Sequence, residues 1–542
     1  MNAILRRNAL IRSFVMRREW LIYIVLLVVS LTLALYNLEY SPRTWQDEGG
    51  TLSLARTLVE DGVYAIRNSD GYQTFGTVQS VGPTVVLPIA LSFKLFGVGL
   101  LQARLVMSLW LIVTLFAFYS LGRELFGMRS AALAVLLILS FPFGLVMLGR
   151  QALGEVPGIC LLLAGSLAWI RAIRASSYRY YALTGLLFGL AMITKSQYIV
   201  MIGGTLILCA PLTIWYFKRS IKPIAGIIFI AFTCVVLWTV WQIMYFGIPT
   251  FQENAGKMSS LAKVTAGLNP SNTIIAVKYI LGPASTYFYY FLGFPALIYI
   301  GFGCLQRNEE NIVTCSLLIF TLLCLAYYIF WIIPVPIYAL APMTITAFFV
   351  AKLLSDIIPA TKFSLALLRK ELREHVAGPM TRRIVLIISI GGMLSFLIGT
   401  QVSAALLDND TRPQEFATVL NQSVADTAVI ETWERELGSL TSHKYHYPDQ
   451  SVLQVTQAER FLNTPHKQLY GEAYFKQFHA EYLVIGWYGR YADIYDSNYL
   501  RQHACLLSTI GSNEWRYELY HIDLLQAHLN QSDHIQPCLR AT

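Results

Sequence analysis

The stretch Thr44-Trp45-Gln46-Asp47-Glu48-Gly49-Gly50 is the best furnished for chemistry. It follows a long apolar run, Trp20 to Leu38, so it sets two adjacent carboxylates at one face of a membrane. A carboxylate held there can take the proton of a hydroxyl nucleophile. The stretch also has a plain structural reading. Thr44 with Asp47 three residues later fits a capping box, and carboxylates suit a helix N-terminus. Charges further along the chain decide between the two. Arg104, Arg150, Glu155 and Lys195 each stand at the end of an apolar run. Taken singly, Arg104 or Lys195 reads as a snorkelling side chain. Four such groups on the side of Asp47-Glu48 make a site of carboxylates and cations, suited to activating a hydroxyl and holding a phosphate.

The elements that position these residues follow from composition. Of 542 residues, 55% are hydrophobic and 13% charged, and several apolar runs reach the ~18 residues that cross a bilayer. The chain is therefore a polytopic membrane protein. Its net charge of +9 is unevenly spread: from Leu407 onward 10 Lys/Arg face 17 Asp/Glu, and the excess of positive charge lies before that point. The charge is a topology signal and gives no reason to invoke nucleic acid. The basic N-terminus precedes a 19-residue apolar run with no small-residue cleavage site, which reads as a retained first span. Six cysteines lie in or beside apolar runs; only Cys505 and Cys538 fall in the aqueous part, where one disulfide is open to them.

Five arginines before Glu19 place the N-terminus in the cytoplasm. After Asp47-Glu48, Thr51 to Asp61 reads as an amphipathic helix on the membrane surface, stopped by Gly62. Val63 to Val81 is turn-rich, and Gly82-Pro83 opens a second, short interfacial helix, Thr84 to Phe96. With these two kept out of the bilayer, 11 spans result. They are Trp20–Leu38, Leu101–Leu121, Ala131–Leu148, Val156–Ile173, Tyr181–Thr194, Tyr198–Phe217, Ile224–Phe246, Tyr279–Phe302, Ile312–Ile333, Ile337–Leu354 and Ile384–Leu406. One side then collects about 21 Lys/Arg, including the Lys352–Arg383 loop, against about 10 in the loops of the other side, as the positive-inside rule requires. Residues 1–406 form this membrane domain. Residues 407–542 alternate short apolar runs (Ala428–Ile430, Val452–Val455, Tyr482–Ile485, Cys505–Ile510, Tyr517–Ile522) with helix-like ones such as Glu431–Leu440, and read as an α/β domain outside the membrane.

In order and spacing, most of Met1 to Leu406 resembles the polytopic C-type (GT-C) membrane glycosyltransferases, in the branch of protein O-mannosyltransferases and aminoarabinose transferases (ArnT-like, glycosyltransferase family 39). The resemblance rests on Asp47-Glu48 with its following helix, the Gly82-Pro83 helix ending Leu95-Phe96-Gly97, and Arg104. It continues through the turn Arg150 to Glu155, the step Thr194-Lys195, and the Pro334–Pro342 segment with Tyr338. Three positions depart from the branch: Gly82-Pro83 replaces a double proline, Glu155 replaces a more usual Asp, and Ile337 stands where a basic residue often precedes the Tyr. The last leaves one expected phosphate contact unsupplied, or supplied by Arg104, Arg150 or Lys195.

The resemblance implies direct transfer of a sugar from a polyprenyl-phosphate donor to an acceptor (lipid, glycan or protein) on the non-cytoplasmic face. Asp47 would be the general base, with Glu48 supporting it or exchanging roles. Arg104, Arg150 and Lys195 would hold the lipid phosphate, with Tyr338 beside it. Glu155 would orient the acceptor or, with Asp47, bind a divalent ion, the one candidate cofactor. The chain has no nucleotide-binding glycine loop, in keeping with a lipid-linked donor. A transporter or flippase of lipid-linked intermediates is the rival, but it would set its charges near the midplane and carry repeats.

Overall fold

The computed structural model describes residues 2–141, 144–265, 274, 292–306, 311–330, 336–357, 379–449, 451, 452, 456, 459 and 468–522. Residues 358–378 of the Lys352–Arg383 loop, most of Val452–Val455, Cys538 and the first part of the Tyr279–Phe302 span lie outside them. The expected spans are largely helical where they are described, except that Ala131–Leu148 is interrupted between Leu139 and Leu145. Helix α1 is Asn2–Leu35, and α5 (Leu100–Leu139) joins two expected spans across a kink at Gly127, whose φ of +84° favours glycine. They are followed by α6 (Leu145–Gly149), α7 (Glu155–Ala175), α8 (Tyr178–Thr194), α9 (Gln197–Pro211) and α10 (Lys222–Phe246). Helices Phe294–Cys304, Asn311–Phe330, Leu340–Ile357 and Pro379–Leu407 complete the bundle. Among the described residues, seven helices are long and apolar enough to cross a membrane by length and composition alone. The protein is a multi-pass membrane protein.

Close packing inside the bundle depends on small residues. A Cβ on Gly189 of α8 would come within 2.7 Å of Cys234 Sγ and 2.9 Å of Ala231 O; one on Gly185 would come within 2.9 Å of Ile227 O. Exposed apolar stripes mark the lipid-facing sides: Trp20, Leu21, Ile24, Val25 and Val28 on α1, and Leu87, Leu91, Leu95 and Phe96 on α4 (Pro83–Phe96). Helix Ile248–Thr265 falls where the sequence suggested only a loop.

The segment after α1 corrects two expectations. Helix α2 spans Gln46–Glu60, so Asp47 and Glu48 occupy its first turn. Its N-cap is Trp45, no side chain caps it, and Thr44 Oγ1 is buried without a partner, so the capping box does not form. Nor does α2 lie on a membrane surface: Leu52, Leu54 and Ala55 are fully buried, as are Glu48 and Thr51 on other faces. It is enclosed between α4 and the C-terminal domain. The turn-rich Val63–Val81 folds as a hairpin, β1 (Ile66–Asn68) with β2 (Gly71–Gln73), and a turn of helix, α3 (Thr77–Ser80).

The C-terminal part is an α/β domain on a mixed five-stranded sheet ordered β4-β3-β5-β7-β6. Its strands are β3 (Val429–Thr432), β4 (Lys444–His446), β5 (Ala480–Ile485), β6 (Ala504–Ile510) and β7 (Tyr517–Ile522). Strand β3 is parallel to β4 and β5; β7 is antiparallel to β5 and β6. Glu431–Leu440 is not a helix: it ends β3, turns, and is helical only at Leu437–Leu440. Cys505 is disulfide-bonded. A single apolar cluster runs from Leu52, Val85 and Met107 to Phe416, Ile430, Leu437 and Leu519, so the domain and the helices beneath it share a core. Arg56 reinforces the junction with hydrogen bonds to Gly438 O (2.8 Å) and Thr441 O (2.7 Å), and Ser69 N donates to Tyr445 O (2.8 Å).

Candidate active site

Motifs far apart in sequence meet at the head of α8. This helix stops at Thr194 because Lys195 is extended and forms a bridge with Val81. Gly82 N donates to Thr194 O (2.9 Å) and Ser196 N to Ser80 O (3.2 Å). A Cβ on Gly82 would sit 1.6 Å from Ile193 O, which explains glycine at that position, and Thr84 and Thr194 hydroxyls are 2.6 Å apart. A Cβ on Gly154 would meet Thr194 O at 3.0 Å. The turn preceding Glu155 is thereby pressed against Lys195, and the two side chains form an ion pair. Glu155 Oε2 is buried and accepts no hydrogen bond from the described residues; the backbone carbonyl of Glu155 accepts from the Tyr198 hydroxyl at 3.0 Å.

Arg104 and Arg150 serve a different purpose from the one the sequence suggested. Arg104 makes a bidentate pair with Glu48, Nε to Oε1 at 2.9 Å and Nη2 to Oε2 at 2.7 Å, with both side chains at 0% exposure. Its Nη1 donates to Leu38 O at 2.9 Å. Glu48 Oε1 also accepts from Ala152 N (3.1 Å). Arg150, fully buried, donates to Leu33 O (2.6 Å), Tyr36 O (2.6 Å) and Ser41 O (2.7 Å). Neither guanidinium is placed to take a phosphate: one is spent on Glu48, the other on the carbonyls that end α1 and lead into α2. They act as positioning residues, fixing the segment that carries Asp47. Glu48, saturated at both oxygens, is not placed to exchange roles with Asp47.

Asp47 is the contrast. It is half-buried, and no hydrogen bond to its carboxylate is found among the described residues. Desolvation raises its pKa above the ordinary value, with Glu155 pushing the same way while Lys195 and Arg435 oppose. Tyr338 stacks on Tyr328, centroids 5.3 Å apart, within electrostatic reach of Asp47 and Glu155. Asp47, Glu155, Lys195 and Tyr338 thus form one cluster, and Glu48, Arg104 and Arg150 form the frame behind it.

Sequence reasoning missed the roof. Arg435 and Tyr488 of the C-terminal domain both lie in the field of Asp47. A Cβ on Gly49 would fall 2.2 Å from Glu436 N, so α2 and the 433–436 turn are in backbone contact. The signal available was Trp433-Glu434-Arg435-Glu436, three charges around a tryptophan that all prove buried.

Comparison with known proteins bears on the fold. Residues 80–241 match the family model for dolichyl-phosphate-mannose-protein mannosyltransferase. The fold is similar to that of ArnT from Cupriavidus metallidurans bound to undecaprenyl phosphate, with TM-score 0.57 and 15% identity, covering 93% of this chain and 98% of that one. The chain has the GT-C membrane glycosyltransferase fold. The fold is also similar to that of the archaeal oligosaccharyltransferase of Archaeoglobus fulgidus in complex with an inhibitory peptide and a dolichol-phosphate (TM-score 0.54, 12% identity, 95% of this chain, 75% of that one). An uncharacterized protein of Aquifex aeolicus is 26% identical over 227 residues, 41% of this chain, which spans about 43% of that relative's length.

The family match contains Gly82, Arg104, Arg150, Glu155 and Lys195 but neither Asp47 nor Tyr338. A divalent ion does not fit the residues as they stand. Asp47 and Glu155 supply two carboxylates, the Lys195 ammonium occupies one of them, and no group of three His, Cys, Asp or Glu side chains that could hold a metal is found among the described residues.

Proposed function

We propose that this GT-C chain transfers a sugar from a polyprenyl-phosphate carrier to a hydroxyl acceptor, on the membrane face opposite the basic loops, with Asp47 as general base. The observation that carries the reading is the contrast between two neighbouring carboxylates. Glu48 is saturated by Arg104 and Ala152, whereas Asp47 is half-buried, unbonded and faces a Glu155–Lys195 pair. The lipid phosphates bound by the two GT-C relatives support the donor class. In the reaction the acceptor oxygen attacks the anomeric carbon and gives its proton to Asp47. The bond from that carbon to the phosphate oxygen breaks, and the electron pair leaves with the polyprenyl phosphate. Lys195 stabilises the charge on the leaving phosphate, and Glu155 orients the acceptor while holding Lys195 in place. Tyr338 closes the side of the cluster against water.

Purified protein incubated with an undecaprenyl-phosphate sugar and a panel of hydroxyl acceptors tests this. Stoichiometric appearance of undecaprenyl phosphate and a glycosylated acceptor by mass spectrometry is expected. Carrier that is translocated across a vesicle membrane but never cleaved would favour a transporter.

A further inference from the structure

Among the cations expected to meet the donor, Arg104 is bound by Glu48, Arg150 by carbonyls and Lys195 by Glu155. One guanidinium near Asp47 is left over. Arg435 is 1% exposed, and its Nη2 donates to Gln73 Oε1 at 2.9 Å. Its Cζ lies 5.6 Å from the Tyr447 ring, and its Nη1 is buried with no hydrogen-bond partner among the described residues. No carboxylate forms an ion pair with it among the described residues, and Glu434 and Glu436 on either side turn away, to Gly489 N (2.9 Å) and the Tyr517 hydroxyl (2.8 Å). Burying an unpaired charge costs several kcal/mol unless an anion completes the site. The anion cannot be Asp47, which lies beyond ion-pair distance and must stay basic.

We infer that Arg435, delivered by the C-terminal domain, completes the binding site for the phosphate of the polyprenyl carrier. This rests on the proposed donor class and adds the residue that recognises it. The held Nη2 and free Nη1 of Arg435 suit a planar fork on one phosphate. The same 433–436 turn packs on Gly49 of α2, so the seated C-terminal domain holds Arg435 beside the first turn that carries Asp47.

The test compares dissociation constants for undecaprenyl phosphate and undecaprenol on full-length protein in detergent. Wild type is expected to prefer the phosphate. Arg435→Gln should lose about 10–100-fold in affinity for the phosphate and little for the alcohol, the size of one charge-assisted hydrogen-bond pair. Arg435→Lys, a point charge without the fork, should fall between them. A glutamine variant that keeps the wild-type ratio overturns the inference, and so does one whose only defect is a raised acceptor KM. If Arg435→Gln does not fold, the lysine variant decides, and a wild-type ratio there overturns it equally. A wild type that does not discriminate phosphate from alcohol would instead sink the donor class itself.

Discussion

Six charged residues divide into two jobs at the residue scale, and the division predicts opposite phenotypes. Arg104 and Glu48 are a fully buried pair. Removing one partner strands a charge, so Arg104→Met should cost about 3–5 kcal/mol of stability, read as a lower unfolding temperature in detergent. The double variant Arg104→Met/Glu48→Met should be milder than Arg104→Met alone. Lys195 belongs to the other job. Asp47 must be ionised to accept a proton, and its folded-state pKa is raised. The acid limb of kcat/KM should therefore lie above the ordinary carboxylate value of about 3.9, with activity lost as pH falls through it. Lys195 opposes the rise, so Lys195→Gln should move that limb to higher pH. A limb that stays put or moves down would separate Lys195 from Asp47. The residue types were legible in the sequence, because ionisable groups at span ends stand out. Their pairing was not, since which of two adjacent carboxylates is consumed by an arginine 56 positions away depends on helix packing.

The informative element is α2. Its apolar positions suggested a helix lying on lipid, and periodicity cannot distinguish lipid from protein as the covering layer. The C-terminal domain covers it instead. Gly49 is where the two backbones touch, and a methyl group there collides with Glu436 N at 2.2 Å. Gly49→Ala should cost about 1–3 kcal/mol by overpacking and loosen the domain. Faster proteolytic cleavage within residues 412–522, with the membrane helices intact, is the expected outcome; an unchanged rate would mean that the contact yields easily. The helix-like pattern at Glu431–Leu440 misled for a related reason. Its charges are spaced as on a solvated helix, yet Glu431, Glu434, Arg435 and Glu436 are all buried, each in its own polar contact or waiting for one.

For the whole molecule, the spans were legible because 18 or more apolar residues have few other uses in water. The joint between domains was not, because a shared core formed by Leu52, Met107, Ile430 and Leu519 leaves no local signature. Thiol labelling tests the sidedness. Cysteines at Ser69 and Ser259, both exposed, should react with an impermeant thiol reagent from outside, and one at exposed Ser220 should not. Asn68 is unsuitable for this purpose, since it is buried against Tyr447. Labelling of Ser220 with protection of Ser259 would invert the topology and move Asp47 to the cytoplasmic face.

Asp47→Asn tests most directly whether Asp47 is the base. Asparagine keeps the shape and removes the basic oxygen. With purified protein, a polyprenyl-phosphate sugar and a competent acceptor, turnover should fall by about 10²–10⁴-fold while the unfolding temperature and carrier affinity hold. Turnover within a few-fold of wild type would contradict the account, because asparagine can replace aspartate in a helix's first turn but not as a proton acceptor.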